Sequence, residues 1–183
     1  MQALTFLIKI TIDLCYILLL LRLIFHILRV TFYNPISQFI YKATNSVLIP
    51  LHKIIPNHPK VDPAIVLLLL LLKAIELSLI TLLMVGTPPA FSSIAAWSIG
   101  KLLSNTLDLF FFAIILTILQ SWLNPKHYNP LTDILDQITE PLLAPARRKI
   151  PPLMGLDLSP MVVLIGLKLI EILVANPILH YAH

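Results

Sequence analysis

Apolar residues gather in four long runs separated by polar, proline-rich stretches. The runs cover roughly Ala3–Leu28, Ala64–Val85, Ile99–Leu123 and Leu158–Asn176. A bilayer core takes about 20 mainly apolar residues in helical form, and each run qualifies. Inside lipid, only helices and closed barrels give every backbone N–H and C=O a partner. The runs lack the two-residue alternation of barrel strands, so the pattern predicts four spanning helices.

Between the spans the pattern changes to a stripe. After Asn34-Pro35, the apolar Ile36, Phe39, Ile40, Ala43, Val47 and Leu51 recur at helical spacing, with Ser37, Gln38, Lys42, Asn45 and His52 among them. After Asn129-Pro130, Leu131, Ile134, Leu135, Ile138 and Leu142 repeat the stripe against Asp133, Asp136, Gln137 and Glu140. Each Asn-Pro reads as an N-cap followed by proline at the first helical position. The stripes predict amphipathic helices over about 35–55 and 130–149, lying in the membrane interface with the apolar face down. Pro50 and Pro145 should end or bend them near the last turn. The stretch before the third span is ambiguous: Pro88-Pro89 and Ser92-Ser93 suggest a turn, then a short interfacial or re-entrant piece carrying Trp97.

The chain repeats itself. An offset of 95 residues, without a gap, aligns Tyr33-Asn34-Pro35 with Tyr128-Asn129-Pro130, Pro50 with Pro145, and Ile55-Pro56 with Ile150-Pro151. The same offset pairs Asp13 with Asp108, Asp62 with Asp157, Lys73 with Lys168 and Glu76 with Glu171. Charged residues in apolar runs would not keep register over that distance by chance, so this is a tandem duplication. The expected fold is an all-α membrane protein: four transmembrane helices as two tandem hairpin repeats, each with an amphipathic interfacial helix between its spans. The repeats occupy 1–85 and 99–183, with a linker at 86–98. Because each repeat crosses twice, the copies point the same way, related by an axis along the membrane normal.

Charge sets the expected orientation. The first connector holds Arg29, Lys42, Lys53 and Lys60, and the second Lys126, Arg147, Arg148 and Lys149; the middle loop has neither Lys nor Arg. The positive-inside rule places both connectors in the cytoplasm and both termini outside; Lys9 and Lys101 argue weakly against this. The first run is too long for a signal h-region and contains Asp13 and Arg22, so it is expected to be a retained span.

Composition agrees. Of 183 residues, 58% are hydrophobic and 12% charged, against about 25% charged in a soluble domain. The net charge of +4 comes without the basic, aromatic-interleaved stripe of a nucleic-acid binder. The single Cys15 has no disulfide or CxxC partner and reads as apolar filler. The six histidines, His52, His58, His180 and His183 among them, lack metal-site spacing and read as headgroup-level or solvated. No metal or cofactor is expected. Neither a nucleophile–base grouping nor a phosphate loop is present, so no enzyme is expected. Trp97, Trp122, Tyr33 and Tyr128 fall near span ends, where an aromatic belt belongs.

The candidate site is the charge inside the spans: Asp13, Lys73, Glu76, Asp108, Lys168 and Glu171. Each lies roughly 14–18 Å from the end of its span, near the midplane, where an ionisable group costs about 2.5–3.5 kcal/mol on insertion scales. Lys73 and Glu76 share a helix face, as do Lys168 and Glu171, and Asp13 and Asp108 reach a similar depth to accept from the lysines. These sets pin the hairpins together, form an ion or proton path, or meet another membrane subunit. Arg22 faces elsewhere and, with His26 and Arg29, should snorkel to cytoplasmic headgroups. Lys53, Arg147, Arg148 and Lys149 are the other candidates for anionic lipid or a partner.

These motifs resemble the YggT family of small bacterial membrane proteins, whose members carry one or two copies of such a hairpin. The strongest stretch runs from Tyr128-Asn129-Pro130 through Thr139-Glu140-Pro141-Leu142-Leu143, Pro145, Arg147-Arg148 and Ile150-Pro151 to Gly155-Leu156-Asp157 and Ser159-Pro160. The first copy departs from it: Ser46 stands opposite Pro141, His52-Lys53 opposite Arg147-Arg148, and Lys60 opposite Gly155. The resemblance implies an inner-membrane protein tied to osmotic or potassium stress tolerance, with relatives in cell-division gene neighbourhoods and chloroplast relatives in membrane cofactor assembly. It brings no catalytic residues. The expected role is a non-enzymatic scaffold or assembly factor supporting osmotic, ion or envelope homeostasis. The alternative is an oligomeric ion channel or proton-coupled transporter. Expected partners are anionic lipid headgroups and a second copy or another membrane subunit.

Overall fold

The computed structural model describes residues 2–56, 58–123, 129–150 and 157–180, and all its elements are helical. Lys126, Tyr128, Pro151, Gly155, Leu156 and His183 lie outside the described residues.

The helices are α1 (Gln2–Leu28), α2 (Pro35–His52), α3 (Pro63–Val85), α4 (Phe91–Leu123), α5 (Pro130–Lys149), α6 (Ser159–Ile170) and α7 (Asn176–His180). A π-helical turn, Glu171–Ala175, joins α6 to α7 into one span. Among the described residues, four helical stretches are long and apolar enough to cross a membrane: Ala3–Leu28, Pro63–Val85, Phe91–Trp122 and Ser159–His180.

The ends of the elements follow from local chemistry. The Asn34 side chain accepts from the Ile36 N–H at 2.9 Å, and that of Asn129 from the Thr132 N–H at 2.8 Å; each cap is followed by its proline. Asp62 caps α3 through the Ala64 N–H at 3.0 Å. Gly86 closes α3 in the left-handed conformation (φ +79°), which glycine adopts without Cβ strain. Pro50 and Pro145 fall within the last turns of α2 and α5, which continue to His52 and Lys149.

The structure departs from the simple repeat pattern in three places. Residues 91–98 are the first turns of α4 and not a linker or re-entrant piece. Ser92-Ser93 sit in the first turn, where small polar residues are at home, and no proline follows Pro89 until Pro125. Gly100 lies inside the helix, where an added Cβ would come within 2.8 Å of Leu179, so the fourth span packs closely there. The last span has a π turn that the first repeat lacks. Pro177 supplies the reason: it has no N–H and its ring would clash with the carbonyl four residues back, whereas its mate is Leu82. Finally, the amphipathic stripes are split. On α2 the buried face is Ser37, Ile40, Thr44 and Leu48, while Phe39 and Val47 are exposed.

That split builds the core. Leu20 and Phe25 of α1, Leu48 of α2, and Ile65 and Leu69 of α3 cluster with Ile134, Leu135 and Ile138 of α5. Ile114, Leu143 and Leu167 form a second cluster in the other repeat. α1 packs on α3, α3 on α4, and α4 on α6 and its continuation. α3 therefore lies between two spans, and α6 lies at an edge. Polar bonds tie the connectors together: Asn34 Nδ2 donates to Pro130 O at 2.7 Å and to Asp133 Oδ2 at 3.0 Å, and Gln137 exchanges two bonds with Thr31.

Leu69 is fully buried and Leu79 on the same helix is not. Leu69→Ala should cost about 2–5 kcal/mol, and Leu79→Ala well under half of that. Reversible unfolding in mixed micelles, followed by circular dichroism, checks the ranking.

Candidate functional site

Two sets of ionised side chains lie between the spans. In the first, Lys73 Nζ of α3 donates to Asp13 Oδ1 of α1 at 2.6 Å and to Glu76 Oε2 at 2.6 Å. In the second, Lys168 Nζ of α6 donates to Asp108 Oδ1 of α4 at 2.8 Å and to Glu171 Oε2 at 2.6 Å. Helical geometry makes this arrangement. Residues three apart share a face, so one lysine reaches its own glutamate and an aspartate on the facing span. An aromatic ring completes each set: Nζ of Lys73 sits 4.7 Å from the Tyr16 ring centre, and that of Lys168 4.7 Å from Phe111. Tyr16 and Phe111 are themselves repeat mates, a match the sequence offered but which gains meaning only from this contact.

The copies differ in cover. The Lys73 side chain is 4% exposed and Glu76 7%, whereas Lys168 is 42% exposed. α1 and α4 flank α3 on both sides, but α6 packs on α4 and α5 and has no span on its far side among the described residues. Ser104 Oγ donates to Glu171 Oε1 at 3.0 Å, a bond without a counterpart in the first set, where Lys9 is the mate of Ser104.

A second pair of links was missed in the sequence. His52 Nε2 lies 2.7 Å from Asp62 Oδ2, and Arg147 Nε donates to Asp157 Oδ2 at 2.9 Å. His52 and Arg147 are mates at the offset of 95, as are Asp62 and Asp157. Each link joins the end of a connector helix to the aspartate that opens the following span. The signal was a basic residue ten before that aspartate in both copies. His52 is therefore bonded, not simply solvated. Arg147 also donates to Glu140 Oε2 at 2.8 Å, so its guanidinium is paired twice within the fold while the side chain stays exposed.

The remaining basic candidates separate. Arg29, Lys53, Arg148 and Lys149 are exposed. Arg22 does not reach outward as expected. Its guanidinium stacks 3.4 Å from the Tyr41 ring centre of α2, and Nη1 is buried without a hydrogen bond. Tyr41 lies on the connector helix, so the arginine joins α1 to α2. His26 Nε2 meets the His58 carbonyl at 3.0 Å, and Cys15 is exposed. Among the described residues, no three His, Cys, Asp or Glu side chains gather as a metal ion requires.

The helices, doubled in sequence and carrying matched ion sets, define a multi-pass membrane protein built from two hairpin repeats. The CCB3/YggT family model matches residues 1–83 and again 96–178, one match per repeat. The chain belongs to the CCB3/YggT family. A protein of Pseudomonas aeruginosa described as uncharacterized is 41% identical over 161 residues, covering 87% of this chain and 82% of that one. One of Vibrio alginolyticus, described by its place in the proC 3' region, is 34% identical over 177 residues, with 96% and 95% covered. The Escherichia coli protein YggT is 33% identical over 178 residues, with 96% and 91% covered. No solved structure matches.

Removing Lys73 would strand two carboxylates, one of them buried, so Lys73→Ala should cost about 3–5 kcal/mol and Lys168→Ala less; chemical unfolding of both variants ranks them. His52→Ala should cost about 1–3 kcal/mol by leaving the buried Asp62 short of a partner, and His52→Arg, which copies the second repeat, should recover most of that.

Asp157 gives a pH dependence. Burial pushes its carboxyl up, but the Ser159 backbone and hydroxyl and the Arg147 guanidinium together hold it below its ordinary value. The stabilisation is then complete above about pH 3.9, the unfolded value. It is lost as pH falls through the lower folded value. Asp157→Asn should flatten that acid limb in a melting temperature series.

Proposed function

We propose that this protein is a non-enzymatic membrane scaffold or assembly factor that holds a partner's spanning helix against α6. The observation that carries this reading is the half-exposed Lys168 side chain at membrane depth. An ammonium there is costly in contact with hydrocarbon, and its mate Lys73 is covered by neighbouring helices. A partner segment on the outer face of α6, beside the exposed Ile165, Leu169 and Ile172, would give Lys168 the same cover. Van der Waals packing and polar contacts drive such association within lipid.

The membrane setting follows the same reading. Both connectors face the cytoplasm by their Lys and Arg content, in the inner membrane of a bacterium. The exposed Phe39 and Val47 of α2 lie against the acyl boundary, and Arg148 and Lys149 meet anionic headgroups at about 1 kcal/mol each. The role we infer, in keeping with the family resemblance, is in osmotic, ion or envelope homeostasis. The second reading, an ion-conducting or proton-coupled oligomer, draws on the two carboxylates that each lysine holds. Ion-sensitive dye in reconstituted liposomes separates the two: flux lost in the joint Asp13→Asn and Asp108→Asn variant would favour conduction.

A cysteine at Leu169, in a Cys15→Ser background, should crosslink to a second membrane polypeptide in intact cells, and Lys168→Ala should weaken recovery of that polypeptide in mild detergent. A chain that always purifies alone and monomeric overturns the scaffold reading.

A further inference from the structure

α1 and α4, the first spans of the two repeats, are separated by a cavity of about 500 Å³. Asp13 faces it with its mate Asp108, Ile17 with Phe112, and Leu21 with Leu116. At the connector end it is bounded by Ile40 of α2 and Leu135 of α5, again mates. From Asp13 to Phe25 the lined part of α1 rises about 18 Å. The volume lies within the roughly 300–1,000 Å³ of small-molecule sites.

Its chemistry is one-sided. Among the described residues, polar side chains come only from Asp13, Tyr16, Asn105 and Asp108, and the rest of the lining is apolar. Each lysine bonds Oδ1 of its aspartate, and the second oxygen, Oδ2, has no bond among the described residues. Together the two sets hold four carboxylates against two ammonium groups. The Tyr16 hydroxyl on the same wall is buried and completes no hydrogen bond, although the Asn105 side chain is beside it.

We propose that this cavity binds a lipophilic organic cation, its charged centre against Asp13 and Asp108 and its apolar body along the α1–α4 groove. The excess of carboxylates disfavours an anion. Apolar walls cannot replace the water shell of a small inorganic cation. A neutral apolar molecule would leave the surplus of two carboxylates uncompensated. An ammonium or phosphonium buried in its own hydrocarbon suits both the walls and the charge. The site goes beyond the partner-holding role of α6, because it is formed by α1 and α4.

The test is equilibrium binding of labelled tetraphenylphosphonium to the full chain in lipid nanodiscs, with empty nanodiscs as the blank. The expected result is saturable binding, with neutral triphenylphosphine oxide competing at least about tenfold more weakly. Asp13→Asn with Asp108→Asn should weaken binding by about tenfold or more. Ala113→Phe, which fills the cavity and leaves both ion sets in place, should abolish it. Equal competition by the neutral compound overturns the proposal and leaves a void for an acyl chain. Absence of saturable binding, undiminished binding in the paired asparagine variant, or retained binding in Ala113→Phe overturns it as well.

Discussion

An ammonium group in the middle of a hydrocarbon layer has to be neutralised within reach of its own side chain, and the rest of this structure is arranged around that requirement. Lys73 and Lys168 each find a glutamate three residues on and an aspartate on the facing span. The first partner is supplied by helix geometry alone. The second requires two spans to be held at one depth and rotation, so the ion sets fix the register of both hairpins. Hydrophobic burial cannot do this in lipid, because the surrounding acyl chains are as apolar as leucine.

The connectors hold the hairpins at the other end. His52 with Asp62 and Arg147 with Asp157 tie each connector helix to the start of the following span, and Arg22 stacked on Tyr41 ties α2 to α1. Asn34 and Gln137 then join one repeat to the other. With these links in place, α2 and α5 have inner faces that belong to the bundle core and outer apolar residues left over. Both connector helices are thus part of the bundle core on one face.

Duplication provides two equal units, yet the copies sit in unequal surroundings. α3 is covered by α1 and α4, while α6 has an open side. Identical charges therefore leave the lysine buried in one repeat and half exposed in the other. Pro177 adds a π turn at the second glutamate that the first repeat lacks. The proposed partner would cover the copy that the fold itself leaves open.

The sequence by itself determined the membrane class, the four spans, the repeat at 95 residues and the membership of both charge sets. Spacing and hydropathy are local quantities, and the doubling amplified them. The two Asn-Pro caps were legible for the same reason. Tertiary structure decided which faces met. It turned α2 so that Thr44 and not Val47 was buried, drew Arg22 onto Tyr41, took up the Arg147 guanidinium, extended α4 back to Phe91 and left α6 at an edge. Those outcomes depend on the rotation of each helix about its axis and on which helix is its neighbour, and a hydrophobic pattern does not encode either when every face of a span is apolar.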